Sequence, residues 1–152
     1  MGQIIKGRIV APGIAKGEAL VTRQPISFCL GVDAASGRII DARHELCGQS
    51  IAQKILVFPF GKGSSGAGLV ILELIRTGLA PAAMINIRTE PVVAIGAIIA
   101  RYFYKRALPM MCISETDFFS LKSGQCLSVD LDAGRLTIID EYPPIRFSDQ
   151  PS

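Results

Sequence analysis

The sequence predicts a mixed α/β fold in one domain, and three observations lead there. Apolar runs of strand length alternate with two longer helical stretches through the middle of the chain, in the order β-α-β-α-β. Several short β segments precede that unit. A hairpin closes the regular part, with Asp132-Ala133-Gly134 as its turn. A chain of 152 residues fits one domain and can bury a core without disulfide or metal staples. The right-handed crossover rule then fixes the hand of the central unit.

The elements follow from local chemistry. Ile4 to Val10 and Gly17 to Thr22 read as strands parted by a Pro12-Gly13 turn. Ile26 to Leu30 is a third short apolar segment. Gly31 to Gly37 is rich in turn residues, and Arg38 to Asp41 follows as a short strand. His44 to Ser50 is loop-like. Ile55 to Phe58 is the central strand. Leu69, Val70, Leu72 and Ile75 have helical spacing, and Gly78 stops that helix. Ala82 to Ile87 is a strand. Thr89-Glu90-Pro91 opens a second helix running from Val92 to Tyr104. Leu108 to Ile113 is a buried strand. Ser114 caps a helical turn containing Asp117, Phe118 and Phe119. Gln125 to Leu131 and Arg135 to Ile139 form the hairpin. From Tyr142 onward the tail, with its prolines and polar residues, reads as irregular. The domain therefore covers residues 1–141 and the tail 142–152.

Composition narrows the function. Hydrophobic residues make up 49% and charged residues 19%. The mean hydropathy of +0.40 is high for a protein that exposes all its surface to water. The longest apolar stretch, near Pro91 to Ala100, is half of the ~20 residues a membrane helix needs. No basic-then-apolar leader is seen at the start. A cytoplasmic subunit that hides apolar surface against a partner is expected, not a membrane protein. Net charge is +3 with the basic residues dispersed, which argues against nucleic acid as a partner. The basic and aromatic run Arg101 to Arg106 instead suits a helix C-terminus. Cys29, Cys47, Cys112 and Cys126 have no CxxC spacing, so they are read as reduced, mostly buried thiols, with no metal site in this chain.

The chemistry concentrates in the loop Gly61-Lys62-Gly63-Ser64-Ser65-Gly66 between the central strand and the first long helix. Backbone N–H groups at a helix start have no partner within the helix and meet the positive end of its dipole, so such loops hold anions. Gly61-x-Gly63-x-x-Gly66, with Glu90 beyond the next strand, also fits the dinucleotide fingerprint. Against that reading, a long β region precedes the motif and few strands follow Glu90. The phosphate loop of nucleotide hydrolases is excluded, because Gly63 and not a hydroxyl residue follows Lys62. One serine can serve as a helix cap. Two serines among three glycines exceed what a cap needs, and the glycines leave the hydroxyls reachable.

The loop from Gly61 to Ser65 resembles the catalytic-serine loop in the swivelling domain of the aconitase superfamily. The wider chain resembles the swivel domain, or small subunit, of the aconitase X family. The resemblance is carried by Gly7-Arg8, Gly13 and Gly17-Glu18-Ala19, then by Ser27-Phe28, Gly31-Val32-Asp33 and Gly37. It continues through Gly48-Gln49-Ser50-Ile51, Lys54 to Val57, Gly61 to Ser65, Ala80-Pro81-Ala82 and Gly96 to Ala100. It implies a swivelling β/β/α domain with a β-barrel-like sheet. It implies a heterodimer with a large subunit that carries an iron–sulfur cluster and most contacts to a small hydroxy-acid substrate. The implied activity is a hydro-lyase acting on (R)-5-phosphomevalonate or cis-3-hydroxy-L-proline, inactive without the large subunit. Ser64 would be the proton acceptor, supported by Gly61, Lys62, Gly63, Ser65 and Gly66. A serine alkoxide is a strong base but needs N–H donors, a helix dipole or cations to form.

Two departures bear on this. Gly66 stands where aconitase itself has a substrate-binding arginine, which disfavours citrate and isocitrate. The family's Phe-Leu-Gly-Gly-Val-Asp is Phe28-Cys29-Leu30-Gly31-Val32-Asp33 here. His44 and Asp33 have open roles, structural or substrate-facing. A non-catalytic swivelling carrier remains an alternative, although its phosphorylated histidine would have to be His44, the single histidine of the chain. A dinucleotide-binding protein is the other.

Overall fold

The computed structural model describes residues 3–62 and 66–139. The strands are β1 (Ile4–Lys6), β2 (Arg8–Ala11), β3 (Ile14–Val21), β4 (Val32–Asp33), β5 (Arg38–Ile39), β6 (Ile55–Val57), β7 (Ala83–Asn86), β8 (Met110–Cys112), β9 (Cys126–Asp130) and β10 (Arg135–Ile139). The helices are α1 (Phe28–Gly31), α2 (Ala67–Thr77), α3 (Pro91–Tyr104) and α4 (Glu115–Ser120). The expected mixed α/β class, β-α-β-α-β centre and terminal hairpin are all present.

Eight strands form one sheet in the order β1-β10-β9-β3-β6-β7-β8-β2. The outermost two, β1 and β2, are consecutive in the chain and separated only by Gly7. The sheet is therefore drawn round toward closure, because one bent segment pairs with β10 at one end and β8 at the other. Gly7 permits the bend: a Cβ there would lie 2.2 Å from the carbonyl oxygen of Cys112. The sequence predicts one strand where the structure has two, since hydropathy does not register which neighbour each half pairs with. β3 is shared in the same way. Its first half pairs antiparallel with β9, and its last residues pair parallel with β6.

The result is a β/β/α stack. Side chains on β6 alternate between two cores, as the two-residue period requires. Ile55 and Val57 face the interior between the two halves of the sheet, with Leu127, Val129 and Leu136. Leu56 faces α2 and α3, with Ile71, Leu74 and Met84. Strands covered on both faces read as continuous apolar runs, as β6 and β7 do. Phe28 and Phe58 meet edge-on at 5.6 Å in the helix-side core, a contact worth about 0.5–1.5 kcal/mol beyond burial.

The helix limits obey the expected signals. Gly78 ends α2 in the left-handed conformation, donating to the carbonyls of Ile75 and Leu74. Pro91 opens α3 after an extended Glu90. Ser114 caps α4 by accepting from the Asp117 N–H. The short apolar segment Ile26 to Leu30 contributes a helical turn and no named strand. Ser27 accepts from the Leu30 N–H and starts the single turn α1, so a local hydroxyl cap overrides the apolar run. The expected tail lies outside the described residues. No helix among the described residues is long and apolar enough to cross a membrane.

Candidate functional site

The C-terminal ends of β3, β6 and β7 converge where the central loop begins. Parallel strands present their carboxyl ends together, and ligands of α/β folds gather there. The chain leaving β6 is pinned on both sides. The Ile26 N–H donates to Phe60 O at 3.3 Å, and the Lys62 N–H to Ile26 O at 3.0 Å. On the other side Ile87 and Arg88 donate to Pro59 O at 3.0 and 3.1 Å. Asn86 is buried, donates to Phe58 O at 3.0 Å and accepts from the Thr89 hydroxyl at 3.1 Å. The base of the loop is thus fixed by hydrogen bonds to both flanking segments.

Gly61 is buried in this clamp, and a Cβ on it would lie 2.9 Å from a Val93 methyl carbon. Lys62 is exposed. Gly66 is the cap residue of α2, so the serine cap anticipated from sequence is not at the cap position. Gly63, Ser64 and Ser65 lie outside the described residues. The first helical hydrogen bond runs from the Val70 N–H to Gly66 O. The N–H groups before it point toward the loop, as in any helix start.

Two clefts flank the loop, and Lys62 borders both. One, of about 420 Å³, is bounded by Phe60, Gly61, Ala67, Arg88 and Glu90. Its Arg88 stacks on the Phe60 ring at 4.3 Å and pairs with Glu90 at 2.9 Å. Glu90 is engaged at the start of α3, away from the ribose-binding role that a dinucleotide fingerprint would give it. The other cleft, of about 620 Å³, is bounded by Gln24, Ser27, Asp41, Arg43 and His44. A hollow of about 390 Å³ between β2 and α3, lined by Val10, Ala97, Ile98 and Tyr102, shares no residue with the loop.

The wall of the larger cleft is held by Glu45. Its carboxylate accepts from the Thr22 hydroxyl, itself buried, and from the Arg23 N–H at 3.3 Å. The Glu45 N–H donates to the Gln24 side-chain oxygen at 2.9 Å. His44 follows into the interior, 8% exposed. It sits between β5 and β6, not at a helix start, which is a poor place for a phosphocarrier histidine. Asp33 accepts from the Ser36 hydroxyl at 2.7 Å and from the Ala35 N–H at 3.3 Å. The Ser36 hydroxyl first, then the Ala35 N–H, hold its carboxyl below the ordinary value of 3.8. Its bonds are those of the turn between β4 and β5.

The sequence reading missed Gln24, Arg43, Asn86 and Arg88. No motif marks them; Asn86 and Arg88 reach the loop base through the β6–β7 pairing and its continuation, and Gln24 and Arg43 line the cleft that Lys62 borders. The cysteines are free, but Cys47 is exposed and Cys29 half-buried, so only Cys112 and Cys126 meet the expectation of burial. Among the described residues no group of three or more His, Cys, Asp or Glu side chains is placed to hold a metal. The described residues do not fit an iron–sulfur cluster.

Comparison with known proteins agrees with the geometry. The small subunit of phosphomevalonate dehydratase from Methanosarcina acetivorans is 40% identical over 136 residues, covering 89% of this chain and 90% of that protein. The corresponding subunit from Thermococcus kodakarensis is 42% identical, covering 90% and 97%. The crystal structure of Thermococcus kodakaraensis aconitase X in its holo-form superposes with a TM-score of 0.83 at 42% identity, covering 91% of this chain and all of that one. Residues 4–138 match the aconitase X swivel domain, and with that fold, that loop and those relatives the chain belongs to the aconitase X swivel domain family.

Proposed function

We propose that this chain is the small subunit of a phosphomevalonate dehydratase and brings the catalytic base to a large subunit that carries the iron–sulfur cluster. The observation that carries the reading is the near full-length likeness to small subunits of that name, 40% and 42% identical. Of the two substrates that the resemblance implies, those names favour (R)-5-phosphomevalonate. Ser64 takes a proton from the carbon beside the carboxylate. The C–H electron pair becomes the new C=C bond, and hydroxide leaves the adjacent carbon with its bonding pair. The start of α2 favours the alkoxide form of the serine through its dipole and first-turn N–H groups, and Lys62 adds positive charge.

A buried heterodimer contact is supported by the exposed apolar residues around this end. Leu30 is 81% and Leu69 71% exposed. Leu30 stands on the rim of the larger cleft, and Leu69 lies in the first turn of α2. The test is co-expression with the large subunit and assay of (R)-5-phosphomevalonate dehydration. Turnover by the pair and none by either chain alone is expected. A stable pair without turnover, or turnover by this chain alone, would overturn the reading.

A further inference from the structure

We propose that the cleft beside His44 is a subsite for a phosphate monoester, held by Lys62, Arg43 and the Nε2–H of His44. It rests on the dehydratase reading and assigns the phosphate end of that substrate to this chain. The imidazole carries the argument. Its Nδ1 accepts from the Leu46 N–H at 3.1 Å, which places the ring proton on Nε2 of the neutral side chain. That Nε2 is buried and has no hydrogen-bond partner among the described residues. Buried polar atoms in folded proteins are nearly always paired, so an orphan donor in a residue that lines a cleft points to an acceptor that arrives from outside.

The charges of the cleft select the acceptor. Lys62 and Arg43 are exposed cations on its wall. The single opposing carboxylate, Asp41, already accepts from the Arg43 backbone N–H at 3.0 Å, within its own turn. Two cations and a directed N–H suit a dianion better than a single carboxylate. Glu45 ties the neighbouring backbone to Thr22 and Gln24, so the imidazole is held in place before any ligand enters. Nε2 has no accessible surface in this state. An anion that pairs with Nε2 therefore has to enter with a small shift of the cleft wall.

His44 is the only histidine, so imidazole nitrogen NMR on the full chain reads this site alone. The expected result is an Nε2–H tautomer whose Nε2 resonance shifts saturably with inorganic phosphate and not with acetate at equal ionic strength. No saturable shift, or an equal response to acetate, overturns the proposal. In the complex with the large subunit, His44→Asn keeps an acceptor for Leu46 and loses the donor. It is expected to raise KM for phosphomevalonate roughly tenfold or more, with the effect on KM rather than kcat. His44→Gln, which can restore an N–H near the Nε2 position, should recover part of the loss. A fall in kcat at unchanged KM overturns the subsite. If the variants do not fold, the wild-type titration decides alone. An active complex whose His44 ignores phosphate sinks the subsite and spares the dehydratase reading. An inactive complex whose His44 responds does the reverse.

Discussion

At the scale of single residues, a proposed catalytic role for Ser64 and a turn-forming role for Asp33 make separate predictions. Ser64→Ala in the complex removes the proposed base and should lower kcat by about 10²–10⁴-fold with little change in KM, measured by steady-state kinetics. Asp33 makes a structural prediction. Its carboxyl is held below 3.8 by the Ser36 hydroxyl and the Ala35 N–H. A depressed folded value stabilises the protein above the ordinary value, and that stability is lost as pH falls through the folded one. Ser36→Ala should therefore lower the urea midpoint at neutral pH. Its gap from wild type should close as the solution is acidified below that range. The serine loop was legible because Gly61 to Gly66 is contiguous in the chain. Arg43 and Arg88 were not, because only the packing of segments far apart in the chain brings them to the clefts that Lys62 borders.

At the scale of elements, the contact between α2 and α3 depends on two glycines. A Cβ on Gly96 would lie 2.6 Å from Gly68 O, and one on Gly68 would lie 2.8 Å from Val92 O. Backbone cannot move aside as a side chain can. Gly96→Ala should cost about 1–3 kcal/mol by forcing the helices apart, read as a lower melting temperature. Ile98→Ala on the same helix, at a position 57% exposed, should change stability far less. Both helices were predictable from their 3.6-residue period and from Gly78 and Pro91 at their ends. The turn α1 was not, because a four-residue helix has no period to read. The place of Gly96 in the packing was equally hidden, since a glycine within a helix shows nothing of the carbonyl facing it.

At the scale of the whole molecule, the β half and the helical half share β3 and the bent segment β1–β2, so the loop is carried on one continuous framework. The clefts on either side of Lys62 and the exposed Leu30 and Leu69 lie at the end proposed to meet the large subunit. Leu69→Glu should leave the melting temperature of the lone chain nearly unchanged, because the side chain is 71% exposed. It should weaken the complex about tenfold or more in a titration of the two subunits, since burial would strand an unpaired charge at the interface.

The sequence by itself determined the alternation of strands and helices, the turns that end them, and the glycine and serine loop before α2. Those signals are local: side-chain period, capping hydroxyls, and Gly and Pro at defined backbone angles. Only the tertiary structure decided that β1 and β2 meet opposite edges of one sheet, and that His44 and Lys62 line the same cleft. Both depend on contacts between segments far apart in the chain, which are selected by joint packing and carry no trace in any short window of residues.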